Sequence, residues 1–272
     1  MILKKISFKI YFVSKCFYTI GVLNTIKLVL IMIFFKNKNS YYSIKLPNSN
    51  FYFRPKGDFG ALSQFMNISY SFKIDQDKQI KILDLGANIG SQTIRFLYDM
   101  PKSRILAIEA EPKNYELLKK NCSNFNNILV DGTAISNFDG TLEIGKQTEN
   151  NENFELITKD KNKLKEISKI QVKKIDYFMK KYDFKSFDIV KIDINGGEKQ
   201  LFSCDVFNQV LTEAKIIIIR GVVDDTHVET SQFIISKIFN LSKFNLKISD
   251  DNLIFIKNGS FVDCKILDSY LF

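Results

Sequence analysis

The chain holds one histidine, no tryptophan, four prolines and four cysteines in 272 residues, and each shortage excludes something. A single imidazole cannot complete a Cys/His zinc site with cysteines 16, 122, 204 and 264, which are scattered and contain no CxxC pair. No metal is expected. The four thiols read as buried small hydrophobes in a reducing, cytoplasmic compartment rather than as a disulfide framework. Few prolines and no internal repeat speak against low-complexity or solenoid organisation. With 45% apolar and 25% charged residues, the composition is that of an ordinary globular chain.

Acidic residues are missing from a whole segment. Residues 1 to 57 contain ten bases (Lys4, Lys5, Lys9, Lys15, Lys27, Lys36, Lys38, Lys45, Arg54 and Lys56) and no Asp or Glu. The remainder carries 39 − 10 = 29 bases against 30 acids, so the formal charge of +9 belongs to the N-terminus. A nucleic-acid reader would carry its basic face on the folded domain, and nucleic acid is excluded as a partner on that ground.

The apolar stretch 17–35 is about long enough to cross a bilayer, but Asn24 and Lys27 fall mid-span, where a Lys costs roughly 2.5–3.5 kcal/mol on insertion scales. No small-residue cleavage site follows it, which excludes a typical signal peptide. Two readings stand side by side for residues 1–40: an interfacial helix on an anionic membrane surface, and helices packed on the domain. The remaining residues, 41–272, form the second, catalytic unit.

From residue 41, SIKLP-NSN-FYFRP predicts a hairpin, followed by a short helical stretch near 60–70. Strand signals near 80–85, 104–109, 127–131, 187–193 and 214–220 then alternate with helical ones near 89–99, 112–122, 197–211 and 229–240. This is the pattern of a doubly wound α/β fold with a mainly parallel sheet. The runs 243–249 and 252–257 predict an antiparallel hairpin at the sheet edge. Between the third and fourth strands, residues 133–146 read as a hairpin and the polar stretch 147–166 as a mobile loop.

The most informative stretch is KILDLGANIGSQTIRFL, residues 81–97. A strand ends in Asp84, and a tight turn through Gly86 and Gly90 leads into an amphipathic helix, bringing backbone close to a nucleoside-type ligand. Asn88 and Ser91 stand where a dinucleotide fingerprint needs glycine, which counts against a nicotinamide-dependent oxidoreductase. A carboxylate at Asp84 would repel a pyrophosphate and attract the ammonium of a methionine moiety. Glu109, 109 − 84 = 25 residues on, closes the second strand where an acid grips both hydroxyls of a ribose.

These residues resemble the FkbM family of methyltransferases. The likeness rests on RPKGD (54–58), DLGANIG (84–90), AIEAEPKNYELLKKN (107–121), TAISNFDGTLEI (133–144), Ile175-Asp176 and DIVKIDINGGE (188–198), in that order, over roughly residues 41 to 220. The resemblance implies a seven-stranded class I methyltransferase sheet of the Rossmann-like type, S-adenosylmethionine as cofactor, and O-methylation of a hydroxyl on a sugar, polysaccharide or glycolipid precursor. It assigns Asp84, Gly86, Asn88 and Gly90 to the cofactor loop and Glu109 to the ribose. Asp131 or its neighbours would lie near the adenine. Two positions depart from the family pattern: Asn195 replaces a usual glutamate, and Arg220 ends the fifth strand where an acid is frequent. These departures motivate a second reading, a cofactor-binding scaffold with weakened turnover.

Ligands in open α/β sheets lie beyond the carboxyl ends of the strands, so candidates for the base are Asp193, Glu198, Asp224, Asp225 and His227. His227 has the best-matched ordinary pKa. Asp193, Glu198 and Asp224 are oxygen donors of the kind magnesium takes, but nothing in their spacing specifies a site. On the interfacial reading of residues 1–40 the protein is cytoplasmic and peripheral at the inner face of the membrane, and the resemblance implies a place in glycan biosynthesis.

Overall fold

Alternating burial organises the chain around one sheet. The computed structural model describes residues 2–35, 40–46, 48–66, 70–73, 77–146, 154–156, 166–194, 197–220, 228–249, 251–260 and 263–266. A long helix α1 (Ile2–Phe34) is broken at Gly21, whose φ of 77° and ψ of 169° are not helical. Strands β1 (Tyr42–Lys45) and β2 (Asn50–Phe53) form the expected antiparallel hairpin, and α2 (Phe59–Met66) follows. A strand the sequence reading did not anticipate, β3 (Tyr70–Lys73), comes next.

The parallel core is built from β4 (Lys81–Leu85), α3 (Ser91–Asp99), β5 (Arg104–Ile108), α4 (Pro112–Cys122) and β6 (Ile128–Asp131). Four strands of a separate small sheet include β7 (Ala134–Ile135), β8 (Gly140–Lys146), β9 (Phe154–Leu156) and β10 (Glu166–Lys173). The core then resumes with α5 (Ile175–Lys181), β11 (Ile189–Ile192), α6 (Glu198–Phe202), α7 (Asp205–Glu213), β12 (Ile216–Arg220), α8 (Val228–Leu241), β13 (Phe244–Ser249) and β14 (Asn252–Lys257). A last strand, β15 (Asp263–Ile266), pairs with β3.

The central sheet has seven strands in the order β13-β14-β12-β11-β4-β5-β6. Strands β6, β5, β4, β11 and β12 are parallel, and β14 enters antiparallel beside β12 as one arm of the edge hairpin. This is the Rossmann-like order of class I methyltransferases, with its switch point between β4 and β11. Period-two side-chain alternation buries both faces. Ile82, Ile105, Ile189 and Ile218 face a layer made by α1, the hairpin, α2, α3 and α4. Leu83, Leu106, Val190 and Ile219 face α5, α6, α7 and α8. Because α1 contributes buried Phe12, Cys16, Ile20, Leu28 and Ile31 to the first layer, it is part of the core's cover.

Three expectations are corrected. The helix predicted over 197–211 is two: Ser203 Oγ bonds the Gln200 carbonyl at 2.6 Å and Cys204 adopts an extended conformation, a local competition that ends α6. Residues 133–146 are no hairpin, because β10 lies between β7 and β8 and pairs with both. Asp139 accepts from the Lys174 amide at 3.0 Å, which pins the connecting turn to the end of β10. Within the stretch read as one mobile loop, residues 154–156 form β9 against β8, while 147–153 and 157–165 lie outside the described residues.

Candidate active site at the carboxyl edge of the sheet

The turn from Gly86 to Gly90 sits at the switch point and is held from two sides. Gly86 and Ala87 amides both donate to the Ile108 carbonyl, at 2.9 and 3.0 Å, tying the turn to the end of β5. On the other side, a Cβ added to Gly86 would lie 1.9 Å from the Asp193 carbonyl oxygen, and its φ is +73°. Only glycine satisfies both conditions. Asn88 itself has a positive φ of 51°, and Gly90, at φ 89°, opens α3. Two polar atoms here, Asn88 Oδ1 of the turn and Ser91 Oγ at the first residue of α3, are buried without a hydrogen-bond partner among the described residues. Buried polar atoms of this kind call for a partner, which water or a ligand can supply.

Asp84 is fully buried. Its carboxylate accepts from Thr93 Oγ at 2.6 Å and from Lys191 Nζ at 3.1 Å. The group that the sequence reading offered to an ammonium is thus satisfied inside the protein, where it clamps the turn and the start of α3 to β11. Burial opposes the charge of Lys191, but the carboxylates of Asp84 and Asp193 outweigh it and raise the ammonium's pKa. Lysine in the middle of an apolar strand was the available signal: IVKI buried on all sides requires an internal counter-charge.

Glu109 closes β5 directly beside the turn. Its two oxygens accept from the amides of Asn88 and Glu111, both at 2.8 Å. Burial is the main cause that pushes its pKa up to about 7, with Glu111 adding and the two amides and Lys191 opposing. A chain of bonds supports it from behind. Glu111 Oε2 accepts from the Asn114 amide at 2.6 Å, capping α4, and Asn114 Oδ1 accepts from Arg54 at 2.5 Å. Arg54 in turn forms a buried ion pair with Asp58 at 2.8 Å. The RPKGD stretch is therefore the clamp that fixes the N-terminal hairpin to the start of α4, a role its sequence did not disclose.

Asp131 ends β6 next to Glu109, whose amide donates to the Asp131 carbonyl at 3.0 Å. Its carboxylate accepts from Lys181 Nζ and the Tyr182 hydroxyl, both at 2.8 Å, and from the Thr133 amide at 2.8 Å. Burial works against its charge, but Lys181, Thr133 and Tyr182 outweigh it and hold the carboxyl below the usual range. The structure places Asp131 on the expected edge and turns its carboxylate toward α5.

Beyond β11 and β12, Asp193 lies between two cations, 3.5 Å from Lys191 Nζ and 3.4 Å from Arg220. Arg220 also bonds Asp251 at 2.7 Å, and the Gln64 amide of α2, with its oxygen turned toward the guanidinium, accepts from it. Glu198 opens α6 and is buried. Asp224, Asp225, His227 and Asn195 lie outside the described residues. Among the described residues, no group of three or more His, Cys, Asp or Glu side chains is placed to hold a metal ion.

Residues 84–248 match the family model described as the methyltransferase FkbM domain. Among curated proteins, the 2-O-methyltransferase NoeI of Sinorhizobium fredii is 23% identical over 149 residues, covering 50% of this chain and 60% of NoeI. The chain thus matches over less than two thirds of that relative's length. Among solved structures, the methyltransferase FkbM from Methylobacillus flagellatus superposes with a TM-score of 0.46 and 17% identity, over 68% of this chain and 44% of the other. The fibrillarin pre-rRNA processing protein of Methanococcus jannaschii gives 0.39 and 16%, over 81% and 84%.

Proposed function

This chain belongs to the FkbM family of methyltransferases, and on that premise we propose that it transfers a methyl group from S-adenosylmethionine to a hydroxyl of a sugar, polysaccharide or glycolipid precursor. The observation that carries the cofactor reading is the Glu109 carboxylate set against the Gly86–Gly90 turn, with unpartnered Asn88 Oδ1 in the turn and Ser91 Oγ just after it. A strand-end acid accepts from ribose hydroxyls, and the two orphaned atoms offer further polar partners, so the residues present fit the group. When bound, S-adenosylmethionine supplies a methyl on a positively charged sulfur. Asp84, Thr93 and Lys191 hold the turn in shape, and Asp131 braces the neighbouring strand end through Lys181. NoeI, itself a 2-O-methyltransferase, supports a hydroxyl as the acceptor.

Methyl transfer to a hydroxyl is an in-line displacement in which alignment supplies most of the acceleration. A base takes the hydroxyl proton as the new bond forms. Asp193, at the end of β11, and Glu198, at the start of α6, are the described candidates for that role, and His227 is a third that lies outside the described residues. Replacing the base is expected to lower turnover by about 10²–10⁴ with cofactor affinity retained. Single-turnover rates of Asp193→Asn, Glu198→Gln and His227→Gln check this; three rates within a few-fold of wild type would sink the assignment. The pairing of Arg220 with Asp193 favours the second reading, a scaffold. Incubation with cell-envelope extract separates the two, because only the enzyme releases S-adenosylhomocysteine.

Glu109 gives the cofactor site a pH dependence. Ribose hydroxyls donate best to the ionised carboxylate, which forms as pH rises through about 7. Cofactor affinity is expected to climb up to that pH and then level off, and Glu109→Gln is expected to flatten the profile and cost about 1.5–3 kcal/mol. Calorimetry at a series of pH values reads both. In the unliganded protein, folding retains a proton between about 4.5 and 7 that the unfolded chain has released. Stability there falls with rising pH, opposite to the trend in affinity.

A further inference from the structure

The surface of α1 is left unused by the methyl-transfer reading. After the break at Gly21, one side of the helix is committed inward: Leu28 and Ile31 are buried, Thr25 is 1% exposed, and the Asn24 side chain bonds both the carbonyl and the amide of Lys45 on β1. The other side presents Val22, Leu23, Ile26, Leu30, Ile33 and Phe34, from 47% to 83% exposed. Their spacing of three and four residues aligns them in one stripe. Exposed Lys27 is the charge described on this half of the helix. A contiguous apolar stripe of this kind on a soluble surface marks an interaction site.

We propose that this stripe docks the protein flat on an anionic lipid membrane. Charge selects the occupant: of the ten bases in the first 57 residues Arg54 is taken by buried Asp58, and the other nine are lysines with no acid in the same segment, which complements negative headgroups. The inward side decides the geometry. Phe12–Phe34 is long and apolar enough to cross a membrane, but spanning would strip Leu28, Ile31 and Asn24 from the core and uncover it. The helix therefore lies in the interface with only its stripe immersed. Its N-terminal half packs on α2 through Phe12 and Phe59, whose ring centroids are 5.1 Å apart. Helix α2 in turn carries Gln64 to Arg220 at the end of β12.

The test uses the full chain without cofactor, and so stands apart from the methyl-transfer reading. Cosedimentation with vesicles of mixed phosphatidylglycerol and phosphatidylcholine is expected to be strong, and with phosphatidylcholine alone weak. High salt should release part of the bound protein, because screening weakens only the charge term. Leu23→Glu and Leu30→Glu are expected to reduce binding about tenfold or more, the change that follows from losing one buried leucine. Both keep the wild-type melting temperature, since the positions are exposed. Equal binding by wild type and variants, no binding by wild type, or retention through an alkaline wash would each overturn the proposal. So would a concentration-dependent dimer, abolished by the same substitutions, that binds no vesicles, for the stripe would then join two copies of the chain.

Discussion

Replacing Lys191 by methionine is expected to destabilise the protein by about 3–5 kcal/mol, the range for a buried ion pair broken from one side. Both side chains are almost completely enclosed, at 4% for Lys191 and 0% for Asp84. Without the ammonium, Asp84 would keep Thr93 as its bonded neighbour and face the interior with an uncompensated charge. The pair itself need not stabilise relative to an apolar substitute, because desolvating two charges offsets their attraction. The double variant Asp84→Asn with Lys191→Met is therefore expected to recover much of the loss, and a double-mutant cycle by denaturant unfolding reads the coupling. A loss below about 1 kcal/mol for Lys191→Met would show that the ion pair is not what clamps the turn. Because the same pair joins the cofactor turn to β11, the single variant should also weaken S-adenosylmethionine binding at temperatures where it remains folded.

The second large effect is expected at Gly86. Alanine there must adopt a φ of +73° and place its Cβ 1.9 Å from the Asp193 carbonyl oxygen, which is backbone and cannot rotate aside. Strain and overpacking together should cost about 2–4 kcal/mol. The larger consequence is positional: to admit the methyl, the turn must move off the end of β11, carrying Asn88 away from Glu109. Cofactor binding should fall below detection by calorimetry. Gly259 supplies the control, since it has the same φ of +73° with nothing within 4 Å. Gly259→Ala should therefore show the conformational cost alone, about 1–2 kcal/mol, and no change in affinity. If the two variants melted alike and bound alike, the close approach to Asp193 would be irrelevant to the site.

The particular elements show why some of the molecule was legible in advance. The run KILDLG reads as strand and turn because apolar residues, a strand-end acid and a glycine report on their own few neighbours. The same holds for β5 with Glu109, for α4 and for the edge hairpin of β13 and β14. Partner choice was not legible. Asp84 and Lys191 are 107 residues apart, and Asp131 and Lys181 are 50 apart. No local pattern distinguishes a carboxylate that will meet a ligand from one that will meet a lysine. The break between α6 and α7 was missed because apolar periodicity continues across Ser203, and the competing hydroxyl bond is visible only in three dimensions. The insertion sheet was missed because β10, the strand between β7 and β8, is supplied by residues far along the chain.

The sequence by itself determined the doubly wound α/β class, the glycine turn with acids at neighbouring strand ends, and the concentration of positive charge in the first 57 residues. These follow from local propensity, period and composition, which act on near neighbours or add up residue by residue. Only the tertiary structure decided that Asp84 is an internal clamp, that Asp131 turns to Lys181, that Arg54 braces the start of α4, and which stripe of α1 faces outward. Those outcomes depend on which distant groups share a buried volume, where desolvation makes an unpaired charge too costly to leave alone.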